Sequence, residues 1–240
     1  MTRVATTCRL CLKPAQLMLS HIIPEFMYEE TYDDKHRTLR VDRQSPSRPR
    51  TLQKGLRERL LCADCESRLS KYEAHAAPIV KGLPTLPIDP SGLHLESQFV
   101  DYRLFKLFEM SLLWRAAVSN EPLFAGAKLK KAEPRLQEML AGERPGSRHD
   151  FGCTLALIPQ TVHLDRIIGP PVRLILGGFH CVRFQIGPIF WHFFLSDFPK
   201  AHSIPKLFLT EKGRLTVVLP QWNEREILLG IARALTDPGV

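Results

Sequence analysis

The sequence predicts an α+β protein, with a short N-terminal module built on four cysteines followed by a domain that is first helical and then antiparallel β. Three observations predict it. Two C-x2-C pairs, Cys8-Arg-Leu-Cys11 and Cys62-Ala-Asp-Cys65, are separated by fifty residues. The stretch 99–118 places Phe99, Tyr102, Phe105, Leu107, Phe108, Leu112 and Leu113 at roughly helical spacing. From Gly152 onward, short runs rich in Val, Ile, Leu and Phe alternate with turn signals such as Gly177-Gly178, Gly187-Pro188 and Lys212-Gly213.

Between the cysteine pairs, the polar stretch 33–55 contains Ser45-Pro46-Ser47-Arg48-Pro49-Arg50 and reads as a loop, because its prolines forbid a regular helix. After the second pair, 66–77 has helical composition and Pro78 is expected to stop it. Gly82, Pro84 and Pro87 make the segment that follows an extended connector. The expected organisation is a zinc module over 1–78, a connector over 79–96 and a helical then β-rich domain over 97–240. Within the last, 99–118 is a long, mostly buried helix and 129–141 a second one, with Pro134 in its first turn or breaking it. Strands are expected at 153–158, 172–176, 181–186, 189–195, 206–210 and 215–219, and Asn223 could cap a last helix over 224–235.

The 240 residues are 44% apolar and 8% aromatic, which excludes wholesale disorder. No apolar run reaches the roughly 18 residues of a membrane helix, and residues 1–8 lack the apolar core of a secretory signal. A cytoplasmic protein with reduced thiols and no membrane association is expected. Four thiolates in two C-x2-C pairs form the set that closes a tetrahedral structural zinc site, the alternative being a redox or coincidental pairing. Cys153 and Cys181 lie in strand-like apolar runs and read as ordinary buried cysteines. Trp191-His192-Phe193-Phe194 and His180 read as core and edge packing.

Ten residues after Cys11 comes Ser20-His21-Ile22-Ile23-Pro24, and the second pair is preceded by Leu60-Leu61. Taken alone, His21 reads as a structural histidine or a fifth zinc-ligand candidate. The ordered set C-x2-C, His-Ile-Ile-Pro and Leu-Leu-Cys-x2-Cys resembles the zinc-containing branch of the HNH, or ββα-metal, endonuclease family, over about residues 8–73. The resemblance implies a treble-clef zinc scaffold, with His21 as general base and Glu66 at the position of a ligand to a catalytic Mg²⁺ or Mn²⁺. Two departures accompany it. Ser20 stands where the family usually has Asp or Glu, and no asparagine lies near Arg57, the chain's two being Asn120 and Asn223. Glu25 and Glu73 are further carboxylates whose relation to the site the sequence leaves open.

The formal charge of +8 is concentrated between residues 35 and 59. There, Lys35, Arg37, Arg40, Arg43, Arg48, Arg50, Lys54, Arg57 and Arg59 face only Asp42 and Glu58. Beside a nuclease-like site, such a segment is a candidate phosphate-contacting surface, although a solvated polar loop would look the same. Residues 97–240 carry no enzyme motif and are assigned to a partner protein or to positioning the module. The leading expectation is therefore a divalent-metal-dependent DNA endonuclease with a structural zinc. The competing one is a non-catalytic zinc module that binds nucleic acid or a partner protein.

Overall fold

The computed structural model describes residues 6–29, 31–41, 50–83, 94–97, 100–157, 167–195, 198 and 202–219. It is mixed α+β. A small antiparallel pair, β1 (Thr6–Thr7) and β2 (Pro14–Ala15), carries the first cysteine pair. Next come β3 (Leu19–His21), α1 (Glu25–Glu29), β4 (Thr38–Arg40), β5 (Arg50–Leu52) and β6 (Arg57–Arg59). The helix α2 (Ala63–Gly82) follows, then β7 (His94–Ser97), α3 (Tyr102–Val118) and α4 (Glu133–Ala141). The remaining strands are β8 (Cys153–Leu157), β9 (Ile167–Ile168), β10 (Val172–Leu176), β11 (Phe179–Ile186), β12 (Ile189–Phe194) and β13 (Leu215–Val218).

Nine strands of the described residues form one sheet, in the order β5-β4-β9-β11-β12-β8-β13-β7, with β10 also paired to β11. The stretch read as a loop therefore contributes strands: β4 and β5 pair antiparallel, and β4 joins β9 in parallel. The prolines that exclude a helix fall in 42–49, outside the described residues, and do not prevent extended backbone on either side.

The helix α2 does not stop at Pro78. It continues through that residue to Gly82, because the apolar stripe Cys65, Leu69, Tyr72, Ala76 and Val80 is buried along its whole length. That burial outweighs a missing N–H to the Ala74 carbonyl. Residues 79–82, expected in the extended connector, are thus helical, whereas 84–93 lie outside the described residues. One cluster of buried side chains runs from Cys8 through α2 and α3 to Val217, crossing both expected domain boundaries.

The long helix α3 forms as the spacing predicts, capped by Asp101, whose carboxylate accepts from Leu104 N at 2.9 Å. Pro134 sits in the first turn of α4, after a short 3₁₀ turn at Lys130–Ala132. Instead of a strand at 206–210 there is a 3₁₀ turn, Ile204–Leu207, with Pro205 in its first turn, where a missing N–H costs no bond. Cys153 and Cys181 are buried, as are Trp191, His192, Phe193 and Phe194, while His180 is exposed rather than packed. The expected helix at 224–235 lies outside the described residues.

Candidate metal centre and the His21 cluster

The two C-x2-C pairs converge. Leu12 N bonds back to Cys8 O at 2.9 Å and Cys8 N to Lys13 O at 3.0 Å, folding the first pair into a tight turn with Leu12 at φ 59°. Arg9 N to Leu60 O at 2.9 Å and Met18 N to Leu61 O at 2.7 Å then clamp that turn to the segment preceding the second pair. Cys62 is the N-cap of α2, so Cys65 lies in its first turn, where the helix dipole favours thiolate. The Sγ atoms of Cys8, Cys11, Cys62 and Cys65 all lie within 4.8 Å of one another. Cys11 and Cys62 are 3.8 Å apart, close to the edge of about 3.8 Å that a tetrahedron of metal–sulfur bonds near 2.3 Å requires.

The electrostatics suit a cation. Burial raises the Cys8 thiol, but the backbone N–H groups of Cys11, Cys62 and Leu10 outweigh it and hold Cys8 down at about 7. One of these bonds runs from Cys62 N to Cys8 Sγ at 3.3 Å. Cys65 is pushed well up, by burial and then by its neighbouring cysteines. A metal ion would reverse that penalty, since four thiolates cannot share so small a volume without one.

On β3, Ser20 and His21 are consecutive and face opposite sides. Ser20 is fully buried and its Oγ donates to Glu66 Oε2 on α2 at 2.6 Å. His21 lies across β3–β6 from Arg57, whose Nε donates to His21 Nε2 at 2.7 Å. Glu25 Oε2 lies 2.8 Å from that same Nε2, and its other oxygen accepts from Tyr32 OH at 3.0 Å. From α3, Arg115 Nη1 donates to the His21 carbonyl at 3.0 Å and to Glu73 Oε1 at 2.7 Å. Gly55 is needed beneath this cluster, because a Cβ there would lie 2.6 Å from the Tyr28 ring.

A single ring nitrogen cannot serve both neighbours. Bare, Nε2 accepts from Arg57; protonated, it donates to Glu25. Burial, followed by the Arg57 charge, lowers the His21 pKa from its ordinary value, with Glu25 and Glu73 pulling the other way. The lowered pKa favours the neutral ring, and the bond from Arg57 leaves Glu25 Oε2 without a hydrogen-bond partner among the described residues.

Arg115 was not among the residues singled out from the sequence. It is 1% exposed, and its Nη2 has no hydrogen-bond partner among the described residues. The available signal was a charged side chain inside a stretch that the spacing buries. Glu25 and Glu73 are the carboxylates brought to His21, whereas Glu66 is brought to Ser20. Among the described residues, only the four cysteines bring three or more ligand atoms together.

The basic residues divide. Arg37 is held by Asp33 at 2.6 Å and Arg40 faces Glu121 at 3.7 Å. Arg57 belongs to the His21 cluster, and Arg59 is exposed while donating to Leu17 O at 2.8 Å. Arg50 and Lys54 are exposed, and Arg43 and Arg48 lie outside the described residues. Among the described residues, no helix is long and apolar enough to cross a membrane. Comparison of the chain with protein-family models, curated proteins and solved structures finds no match.

Proposed function

We propose that the chain is an HNH-like endonuclease that hydrolyses phosphodiester bonds in DNA around His21, on a scaffold held by a structural zinc at Cys8, Cys11, Cys62 and Cys65. The observation that carries the hydrolytic reading is the half-buried His21 imidazole, with a carboxylate and a guanidinium both within 2.8 Å of its Nε2. A neutral histidine kept so by burial and a neighbouring arginine is a competent general base near neutral pH. His21 Nε2 takes a proton from water, whose oxygen bonds to phosphorus as the bond from phosphorus to the 3′ oxygen breaks; that oxygen leaves with a proton from solvent, and the Arg57 guanidinium leaves Nε2 to pair with the phosphate as negative charge develops. Zinc is favoured by a closed all-sulfur set, which is structural in character and does no chemistry. The exposed Lys54 and Arg59 serve the phosphate backbone better than Arg37 and Arg40, which already face carboxylates.

Among the described residues, the oxygen donors near His21 do not assemble into a set for a hard cation, and Glu66 is committed to Ser20. In this reading His21 and Arg57 carry the hydrolytic step. The deciding experiment is plasmid nicking with Mg²⁺, with Mn²⁺ and with chelator, comparing wild type with His21→Ala, Glu25→Gln and Glu66→Ala. His21→Ala is expected to lose about 10²- to 10⁴-fold in rate while keeping its zinc. Undiminished nicking by that variant overturns the assignment.

A second reading, a non-catalytic zinc module that binds nucleic acid or a partner protein, is favoured by the Ser20–Glu66 bond. It ties the carboxylate expected at a catalytic metal into a buried structural contact. Wild-type protein that binds DNA without nicking it under any of these conditions selects that reading.

A further inference from the structure

The sheet face that turns away from α3 carries a polar row which neither site above uses. Trp191 packs its ring 5.9 Å from Phe108 on α3, so its neighbour His192 faces the other side. The register places Arg183 on β11 opposite His192 on β12, and His192 opposite Thr154 on β8. The parallel pairing of Val217 with Leu155 brings Thr216 on β13 level with Thr154. Two residues along, Gln185 lies on the same face beside Phe190. Arg183, His192, Thr154 and Thr216 thus form a line across four adjacent strands at strand spacings of about 4.8 Å.

Among the described residues the row carries one guanidinium and no carboxylate, and burial with the Arg183 charge keeps His192 neutral. The Arg183 guanidinium stacks 4.7 Å over Phe190 but makes no ion pair with a carboxylate among the described residues. Burial lowers its pKa, and the neighbour acting on it is Cys181. His192 is 5% exposed and Gln185 6%. Neither His192 Nδ1 nor Gln185 Nε2 has a hydrogen-bond partner among the described residues. A desolvated cation beside two buried, unsatisfied nitrogens is costly unless something completes it.

We infer that this row is a binding site for a phosphate group. Arg183 supplies a bidentate fork pre-oriented by its stack on Phe190, Gln185 and His192 supply further donors, and the threonine hydroxyls line the remaining edge. Arg183, His192 and Gln185 lie on two adjacent strands, within reach of one group, and no carboxylate among the described residues pairs with Arg183, which suits an oxyanion with several acceptor oxygens.

Thermal unfolding at constant ionic strength tests this, with inorganic pyrophosphate and a 5′-phosphorylated dinucleotide as probes and the unphosphorylated dinucleotide as control. The wild type is expected to show a saturable rise in Tm with at least one phosphate probe and none with the control. Arg183→Met is expected to unfold at a higher temperature than wild type without ligand, and to bind the probe about ten- to a hundredfold more weakly. Comparison with the variant also removes the general stabilisation that phosphate salts give any protein. Should Arg183→Met fail to fold, Gln185→Leu must show the same weakened response. Equal responses in wild type and variant, no saturable response in wild type, or a lower ligand-free Tm in Arg183→Met overturns the site. None of these readouts depends on nicking.

Discussion

The four-cysteine centre and the His21 cluster are both anchored on α2, yet they are built on opposite principles. The first gathers four identical soft ligands from two short turns, and their mutual repulsion is relieved only by a shared cation. The second gathers a histidine, two arginines and two carboxylates from β3, α1, β6, α2 and α3, so each charge already has an opposite within reach. The cysteine centre is thus specified by composition and spacing. The His21 cluster is specified by packing and survives only while five elements stay in register.

The sharpest way to break that contrast is to deny the cysteines the zinc proposed for them. Structural zinc contributes on the order of 10–16 kcal/mol in small zinc modules, which exceeds the stability of most domains. Cys62→Ser, or a strong chelator, is expected to abolish zinc binding at about one ion per chain and to unfold the region around β1, β2 and the start of α2. Zinc release followed with a chromogenic chelator, alongside thermal unfolding, checks this. A chelated protein with unchanged unfolding would strip the cysteines of their scaffold role.

A change in the His21 cluster should act on chemistry before stability. His21→Ala is expected to cost the equivalent of about 3–5 kcal/mol in the nicking barrier, with zinc content and Tm close to wild type. Arg115→Met lies between the two extremes. It removes the donor on the His21 carbonyl and leaves Glu73 without its partner. Glu73 is partly exposed and can recruit water, so the loss should fall at or below the 3–5 kcal/mol typical of a broken buried pair, at about 2–4 kcal/mol. Arg115→Lys keeps one donor and should recover part of it. Denaturant unfolding measured together with nicking separates these outcomes: His21→Ala lowers rate alone, Arg115→Met lowers both.

The same contrast explains what the sequence made legible. The cysteine pairs and the helix at 99–118 could be read directly, because spacing along the chain fixes both a metal-binding turn and an apolar helical face. The continuation of α2 past Pro78 could not, since it rests on the burial of Val80, which is a matter of tertiary packing rather than of local sequence. Nor could the strands β4 and β5, whose place in the sheet comes from pairing with β9, more than a hundred residues later. Glu66 shows the limit most plainly. Its position beside Cys65 marked it as a ligand, but Ser20 takes it up, while Glu73, on the same face of α2 two turns further along, reaches Arg115 behind His21.

The smallest expected effect concerns the proton on His21, and there the two regions carry charge in contrary ways. At the cysteines, burial and like neighbours raise Cys65, so the uncharged form wins until a cation arrives. At His21, burial and Arg57 lower the pKa, so again the uncharged form wins, here ready to accept a proton. A histidine lowered in the folded state contributes its stability in full above its unfolded value, near 6.5, and loses it as pH falls below that. The acidic limb of the nicking profile should accordingly lie below the ordinary histidine range. Arg57→Met removes the charge that disfavours protonation and leaves Glu25, 2.8 Å away, to favour it. The His21 titration, followed by imidazole NMR, and the acidic limb of the rate should then both move to higher pH. If the NMR titration moves while the rate profile stays in place, His21 is not the base. If neither moves, Arg57 does not govern the ring.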